Sequence, residues 1–384
     1  MAYFANPPVA RVETGPAGSR NGGTEPGVRR RRRGWIGWSL LALAVVLGLL
    51  LSFLPAPYLI EQPGPVFNTL GTNPYDGKSQ PLITVSGHAT YPTSGSLNLL
   101  TVSVVGNQTQ RPSWLELVGA WLDPSKAVIP VEEIYPTGVS NSQVDQQNTA
   151  DMVNAQQSAV AAALVHEGTT VGTTLTVSAV AKGSPAAGKL EKGDTFVSVN
   201  GTDLTKNSDV DTLRALLAKN GSKAASVVVE RDGTPRSLSV TPEAYQGSYL
   251  LGVGASVKYD FPYDVTLKLA DVGGPSAGMM FALGVIDKTT PGKLNGGKDV
   301  AGTGTIDAGG TVGAIGGIRQ KLYGAKDAGA TVFLAPASNC NEVTGHIPAG
   351  LSVYAVTTLS QAVSTLQTIS SGGNTSKLAT CATK

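Results

Sequence analysis

The stretch Gly273-Gly274-Pro275-Ser276-Ala277-Gly278 stands between a strand pattern, Val265 to Leu269, and a helix pattern running to about Val285. Glycines permit a tight turn and close backbone approach. Pro275 presets φ at a helix start, where its missing N–H costs little. Ser276 is thereby carried to a helix N-terminus, whose N–H groups favour negative charge. A serine nucleophile needs an exposed hydroxyl on a sharp turn, N–H groups facing the developing oxyanion, and a base. Gly274, Pro275, Ser276 and Ala277 can supply the first two. An ordinary N-cap serine fits the same pattern, so the base has to decide between the two.

The chain has three histidines, His88, His166 and His346, none in a Gly-rich or motif-like setting. A lysine serves as base when its amine is neutral, which requires burial to lower its pKa from about 10.4. Gly316-Gly317-Ile318-Arg319-Gln320-Lys321-Leu322 places Lys321 on a helix with Ile318 one turn before it and Ala325 one turn after, while Arg319 and Lys326 face solvent. A helical lysine is ordinarily a surface charge. What singles out Lys321 is the pairing of its motif with the serine motif.

GPSAG and GGIRQK, with Lys321 lying 45 positions after Ser276, resemble the proteolytic domain of the Lon family. The resemblance implies a Ser-Lys dyad, a variant of triad logic, with Ser276 as nucleophile and Lys321 as general base. Thr303-Gly304-Thr305-Ile306 resembles the family's TGEI segment and implies that Thr303 orients the lysine amine. The chain departs from the pattern at Thr305, where the family often has Glu, and at Gly273, where an acidic residue often stands; Asp271 is near but out of register. Upstream, Ser94 to Leu99 and a helix containing Gln156-Gln157-Ser158 resemble the first half of such a domain. Gly292 to Asp299 matches G-x-x-x-x-G-K, but Asp299 replaces the hydroxyl that would hold Mg²⁺. Neither nucleotide nor metal is therefore expected, and no cofactor.

Between these halves the rhythm changes. A strand, Leu175 to Val180, precedes Gly183-Ser184-Pro185-Ala186-Ala187-Gly188, Leu190, Gly193-Asp194 and Val197-Ser198-Val199-Asn200-Gly201, which closely resemble a PDZ domain. A helix near Asp209 to Lys219 and strands Ala225 to Glu230 and Ser237 to Thr241 complete it. The resemblance implies binding of extended peptide ends by strand addition, although Gly168 to Gly172 is not the usual carboxylate-capturing loop. A PDZ fold without a ligand fits these residues as well.

Net charge is +2; seven Arg against Glu13 and Glu25 give +5 within residues 1–33, leaving −3 for the rest. A basic tail on a mildly acidic body argues against nucleic acid as partner. Five consecutive Arg, Arg29 to Arg33, precede the uncharged run Gly34 to Leu54, flanked by Trp35, Trp38 and Tyr58. At about 1.5 Å per residue this run is roughly 30 Å long, the thickness of a hydrocarbon core. The charge bias predicts a cytoplasmic N-terminus and an exported body. A cleaved signal peptide is the alternative, and it also exports the body. Cys340 and Cys381 could then pair, or remain as two thiols.

The expected architecture is a mixed α/β (α+β) Lon-type proteolytic domain with a PDZ domain, a small β-barrel-like sandwich with helices, and one N-terminal transmembrane helix. The expected spans are a basic disordered tail (1–33), the membrane helix (34–54), a first protease half (55–165), the PDZ domain (166–245), the catalytic part (246–369) and a tail (370–384). The order resembles membrane-bound PDZ-Lon proteases of Gram-positive bacteria. The expected function is ATP-independent serine endopeptidase action on exported or membrane-associated proteins, with peptide or protein substrates as partners and oligomerisation left open. Two alternatives stand beside it. One is a non-catalytic, membrane-tethered PDZ scaffold. The other is an α/β-hydrolase esterase using Ser276, Asp327 and His346, since GPSAG also fits G-x-S-x-G.

Overall fold

The computed structural model describes residues 29–73, 80–245, 248–269 and 272–381. Most of the basic tail, Asp271 and the last three residues lie outside these. The chain divides into two compact units, Met1–Leu54 and Pro55–Lys384. In the first, a helix covers Arg29–Phe53, with apolar side chains such as Trp35, Trp38 and Leu43 exposed. Among the described residues no helix is long and apolar enough to cross a membrane.

The second unit is built on a six-stranded sheet in the order Ser352–Val356, Val332–Pro336, Asp299–Gly302, Ser96–Val105, Tyr58–Asn68 and Ala127–Pro130. The first four strands are parallel, and the last two ladders are antiparallel. Parallel strands are buried on both faces and read as continuous apolar runs, as VFLAP (332–336) does. Alternate side chains serve opposite faces: Val332 and Leu334 join a core with helices Asn141–His166, Gly278–Thr289 and Leu359–Ser370. Phe333 and Ala335 join a second core with helix Ile318–Asp327. The sheet is thus filled from two sides, and its strands come from both flanks of the PDZ segment in sequence.

Three segments differ from what their local sequence suggests. The Gly-rich stretch Pro291 to Gly310 reads as a hairpin region, but Asp299–Gly302 is the central parallel strand, and the hairpin is the short pair Thr305–Ile306 with Val312–Gly313. Pro57 to Gly71 sets turn formers between apolar residues, yet it is mostly the strand Tyr58–Asn68. Its turn-forming residues fall at a register shift between Pro63 and Val66, where missing N–H donors do no harm. The helical pattern is legible in the sequence from Asn148 to Val165, whereas the helix begins at Asn141. Its first two turns are polar and show no stripe, but Ser140 caps it in a reciprocal capping box with Gln143.

The PDZ sheet runs Val253–Asp260, Gly172–Val180, Thr195–Val199, Ala225–Arg231, Thr234–Val240. Its first strand lies past the expected boundary at 245: Val253–Asp260 pairs antiparallel with Gly172–Val180, and its other edge carries no strand among the described residues. Asp194 of the PDZ motif is buried and receives a bidentate Arg231 guanidinium at 2.6 and 2.7 Å, which holds its carboxyl below the usual range. That pair is structural.

Cys340 and Cys381 form a disulfide across 41 residues. The Cys340→Ser, Cys381→Ser double variant is expected to lose roughly 4 kcal/mol on the chain-entropy estimate, read as a lower Tm. An unchanged Tm would mean that the tail is held by its backbone pairing instead, Ala355 N to Ala379 O.

Candidate active site

The central strand Asp299–Gly302 ends at Thr303, and there the two helix layers meet. Ser276 arrives from one face of the sheet, just ahead of helix Gly278–Thr289. Lys321 arrives from the other, on helix Ile318–Asp327. Ala277, not Ser276, is the N-cap, and it makes no side-chain cap bond, so the N-cap alternative for Ser276 does not hold. The Ser276 carbonyl accepts from Gly304 N at 2.9 Å and from Thr303 Oγ1 at 3.0 Å. These two bonds fix the turn and leave the half-buried Ser276 hydroxyl facing a cleft.

Lys321 Nζ donates to Ser276 Oγ at 2.8 Å and to Thr303 Oγ1 at 3.1 Å. The lysine is only 2% exposed. Burial pushes its amine down from 10.5 to about 8, against a smaller upward pull from Glu61. Arg319 and Lys326 are exposed, as the helix pattern required. The lysine helix opens at Gly317, in the left-handed region with φ 66°. A Cβ there would lie 2.6 Å from Val102 Cγ1, so the second glycine of GGIRQK is needed for close packing on strand Ser96–Val105.

Gly273, one of the two departures from the family pattern, has a steric reason. Its Cβ would sit 2.6 Å from Asn148 Cβ, on the long helix, and the next residue's N–H donates to Asn148 O at 2.9 Å. No side chain fits there. The cleft beside Ser276, about 260 Å³, is walled by Pro65, Leu100, Thr101, Val102, Ser103, Met152, Val272, Gly273, Ala277 and Lys321. Neither Asp327 nor His346 lines it. Asp327 is exposed at the end of the lysine helix, so the hydrolase triad is not assembled. The segment Gly292 to Lys298 leads into a strand rather than a helix, unlike a phosphate-binding loop.

Sequence reasoning missed Glu61. It lies half-buried on strand Tyr58–Asn68, its carboxyl raised chiefly by burial, then by Glu133 and Glu342, and lowered by Lys321. Nothing in Glu61-Gln62-Pro63-Gly64-Pro65 marks it, because its role depends on a partner 260 residues away, Lys321. Glu61→Gln removes the charge that favours the ammonium. The acid limb of any Lys321-dependent activity is then expected to shift to lower pH, measured as the pH profile of kcat/KM; an unmoved profile would show the two groups to be uncoupled.

The Lon protease (S16) C-terminal proteolytic domain matches residues 269–368, the span that holds Ser276, Thr303 and Lys321. A PDZ domain matches residues 176–231. The chain carries a Lon-type proteolytic domain and a PDZ domain, and the first of these supports a serine peptidase. Among similar proteins, the "Putative zinc metalloprotease LL2128" of Lactococcus lactis is 33% identical over 133 residues, covering 34% of this chain and 30% of its own. "Lon protease 1" of Sorangium cellulosum is 36% identical over 93 residues, 23% of this chain and 11% of its own. "Lon protease 2" of Herpetosiphon aurantiacus is 42% identical over 86 residues, 22% of this chain and 10% of its own. The chain thus spans under a third of the first relative and about a tenth of the other two. Among the described residues no three His, Cys, Asp or Glu come together to hold a metal ion, and both cysteines are in the disulfide.

Proposed function

We propose that the protein is an ATP-independent serine endopeptidase in which Lys321 and Ser276 act as a dyad, held in the membrane by residues 34–54 with its body outside the cytoplasm. The observation that carries this reading is the buried, pKa-lowered Lys321 amine 2.8 Å from the Ser276 hydroxyl. As an ammonium, Lys321 donates to both hydroxyls. Once neutral, it turns its lone pair to Ser276 and keeps an N–H on Thr303. Lys321 then takes the hydroxyl proton as Ser276 Oγ attacks the scissile carbonyl. Backbone N–H groups at the Ser276 turn hold the oxyanion. The ammonium gives its proton to the leaving amine as the C–N bond breaks. Water, deprotonated by Lys321, resolves the ester, and the proton returns to Ser276 Oγ.

An extended peptide suits the cleft. Strand Ser96–Val105 pairs with Asp299–Gly302 only from Ser96 to Leu99, and Leu100 to Ser103 wall the cleft beyond that point. A substrate strand would add there. A second free edge, that of Val253–Asp260, borders a cavity lined by Ala255, Ser256, Val257, Val210 and Arg214 on the PDZ side and by Asp151 and Pro275 on the other. That arrangement supports the PDZ domain presenting substrate to the neighbouring Ser276. Its rigid attachment is favoured by Asp209, which caps helix Val210–Asn220 and also accepts from Ala308 N at 2.7 Å. The proteolytic domain, on this reading, begins near residue 55 and is interrupted by the PDZ domain.

The anchor is supported by the 21 uncharged residues Gly34 to Leu54 behind five Arg. The test is cleavage of casein by the full chain in detergent, without nucleotide. Cleavage that disappears in Ser276→Ala supports the reading. Cleavage that needs ATP or survives in Ser276→Ala contradicts it, and peptide binding by a chain inert in all forms would favour the scaffold.

A further inference from the structure

Four of the large apolar side chains that unit Pro55–Lys384 leaves exposed fall between Leu115 and Leu122: Leu115, Val118, Trp121 and Leu122, at 53, 43, 59 and 82% exposure. They belong to helix Trp114–Trp121 and its C-cap Leu122. The inward side of this helix is satisfied separately, by Leu117 and Ala120 packed with Ala56 and Ile60. At about 100° per residue, Leu115, Val118, Gly119 and Leu122 share the outward face, and Trp121, 59% exposed, stands on one flank of it. Glu116 falls on the opposite flank, engaged with Ser113 in a capping box. A surface helix normally points its apolar stripe inward and its polar face out; this one is apolar on both sides. Such a patch marks contact with a protein or a membrane.

The place of the helix decides between them. Its N-cap, Ser113, bridges Pro55, and Ala56 N donates to Pro112 O at 2.9 Å. Pro55 is covalently bonded to Leu54, the last residue of the uncharged run Gly34 to Leu54. Wherever that run leaves a bilayer, the start of this helix is fastened to the exit point.

We infer that helix Trp114–Trp121 lies in the interfacial layer of the bilayer, with Leu115, Val118, Trp121 and Leu122 against lipid. The inference rests on the anchored reading proposed above. Amphipathic helices bury such a face at the headgroup boundary, and tryptophan favours that depth. It also narrows the substrate class. Tyr58, whose ring meets Trp114 edge-on at 6.2 Å, starts the strand that reaches the cleft wall at Pro65. Seven residue steps of at most about 3.6 Å bound that path at roughly 25 Å. The cleft would then stand close to the membrane surface and reach polypeptide segments near it.

The test uses the full chain with Val118→Cys carrying an environment-sensitive fluorophore; the native cysteines are bonded to each other and do not compete. The protein is reconstituted in phosphatidylcholine–phosphatidylglycerol vesicles, and vesicle flotation is read alongside. Expected are co-flotation, a blue-shifted emission and several-fold stronger quenching by nitroxide-labelled lipid than for the same probe at the exposed Lys223. Co-flotation with an unquenched probe at 118 overturns the inference and leaves the anchor standing. A blue shift that ignores nitroxide lipid and grows with protein density assigns the face to a second copy, which also overturns it. A chain that does not float refutes the anchor, and the inference falls with it.

Discussion

Lys321→Met is expected to lose peptide cleavage by about a thousandfold or more and yet unfold at a higher temperature than the wild type. The first half follows from the missing base, since a positioned general base contributes typically 10²–10⁴-fold and dyad members act as a unit. The second follows from burial. The amine is 2% exposed and its folded pKa is about 8, against 10.5 for the ordinary group. At neutral pH that displacement corresponds to a desolvation cost of roughly 3 kcal/mol. Methionine fills a similar volume without the charge. Some of the gain is returned, because Thr303 and Ser276 each lose a donor and Glu61 loses its cation, so a net rise of roughly 1–2 kcal/mol remains. Thermal unfolding with casein cleavage on the same preparation reads both effects. A lower Tm with activity retained would make Lys321 a structural charge. Ser276→Ala is expected to match the activity loss with little change in stability.

The pH dependence carries the second large effect. Only the neutral amine can take the Ser276 proton, so kcat/KM is expected to fall about tenfold per pH unit below about pH 8 and to level off above it. Stability follows from the same displacement. Below about 8 the amine is protonated whether folded or unfolded, and the folded protein bears the full desolvation cost. Above 10.5 it is neutral in both, and the cost is gone. Between these values the unfolded chain binds more protons, so stability rises with pH by the full displacement. Subtracting the same titration in Lys321→Met isolates this contribution. A difference that stays flat between pH 8 and 10.5 would show that the lysine is not depressed in the folded protein.

The candidate site was legible where local chemistry forced rare residues together. Gly-Pro-Ser and Gly317 before Ile318 each solve a steric problem that few sequences pose, and the structure brings Ser276, Thr303 and Lys321 within hydrogen-bonding distance. The sheet was harder. The period-2 signal of Asp299–Gly302 is only four residues long between glycines, and Tyr58–Asn68 hides its strand behind two prolines at a bulge. The PDZ strand Val253–Asp260 alternates exposed and half-buried residues, but its partner precedes it by some 80 residues, and local pattern does not report such pairing. Glu61 and the outward face of helix Trp114–Trp121 could not be read at all, because each is defined by what packs, or fails to pack, across the fold.

The most direct measurement is intact-mass analysis of the full chain after exposure to a serine-reactive phosphonate over a pH series. A Ser-Lys dyad predicts one adduct, mapped to Ser276, absent in Ser276→Ala, formed at least a hundredfold more slowly in Lys321→Met, and with a rate that rises through about pH 8. An adduct on another serine, or a Ser276 adduct whose rate ignores both Lys321 and pH, would contradict it.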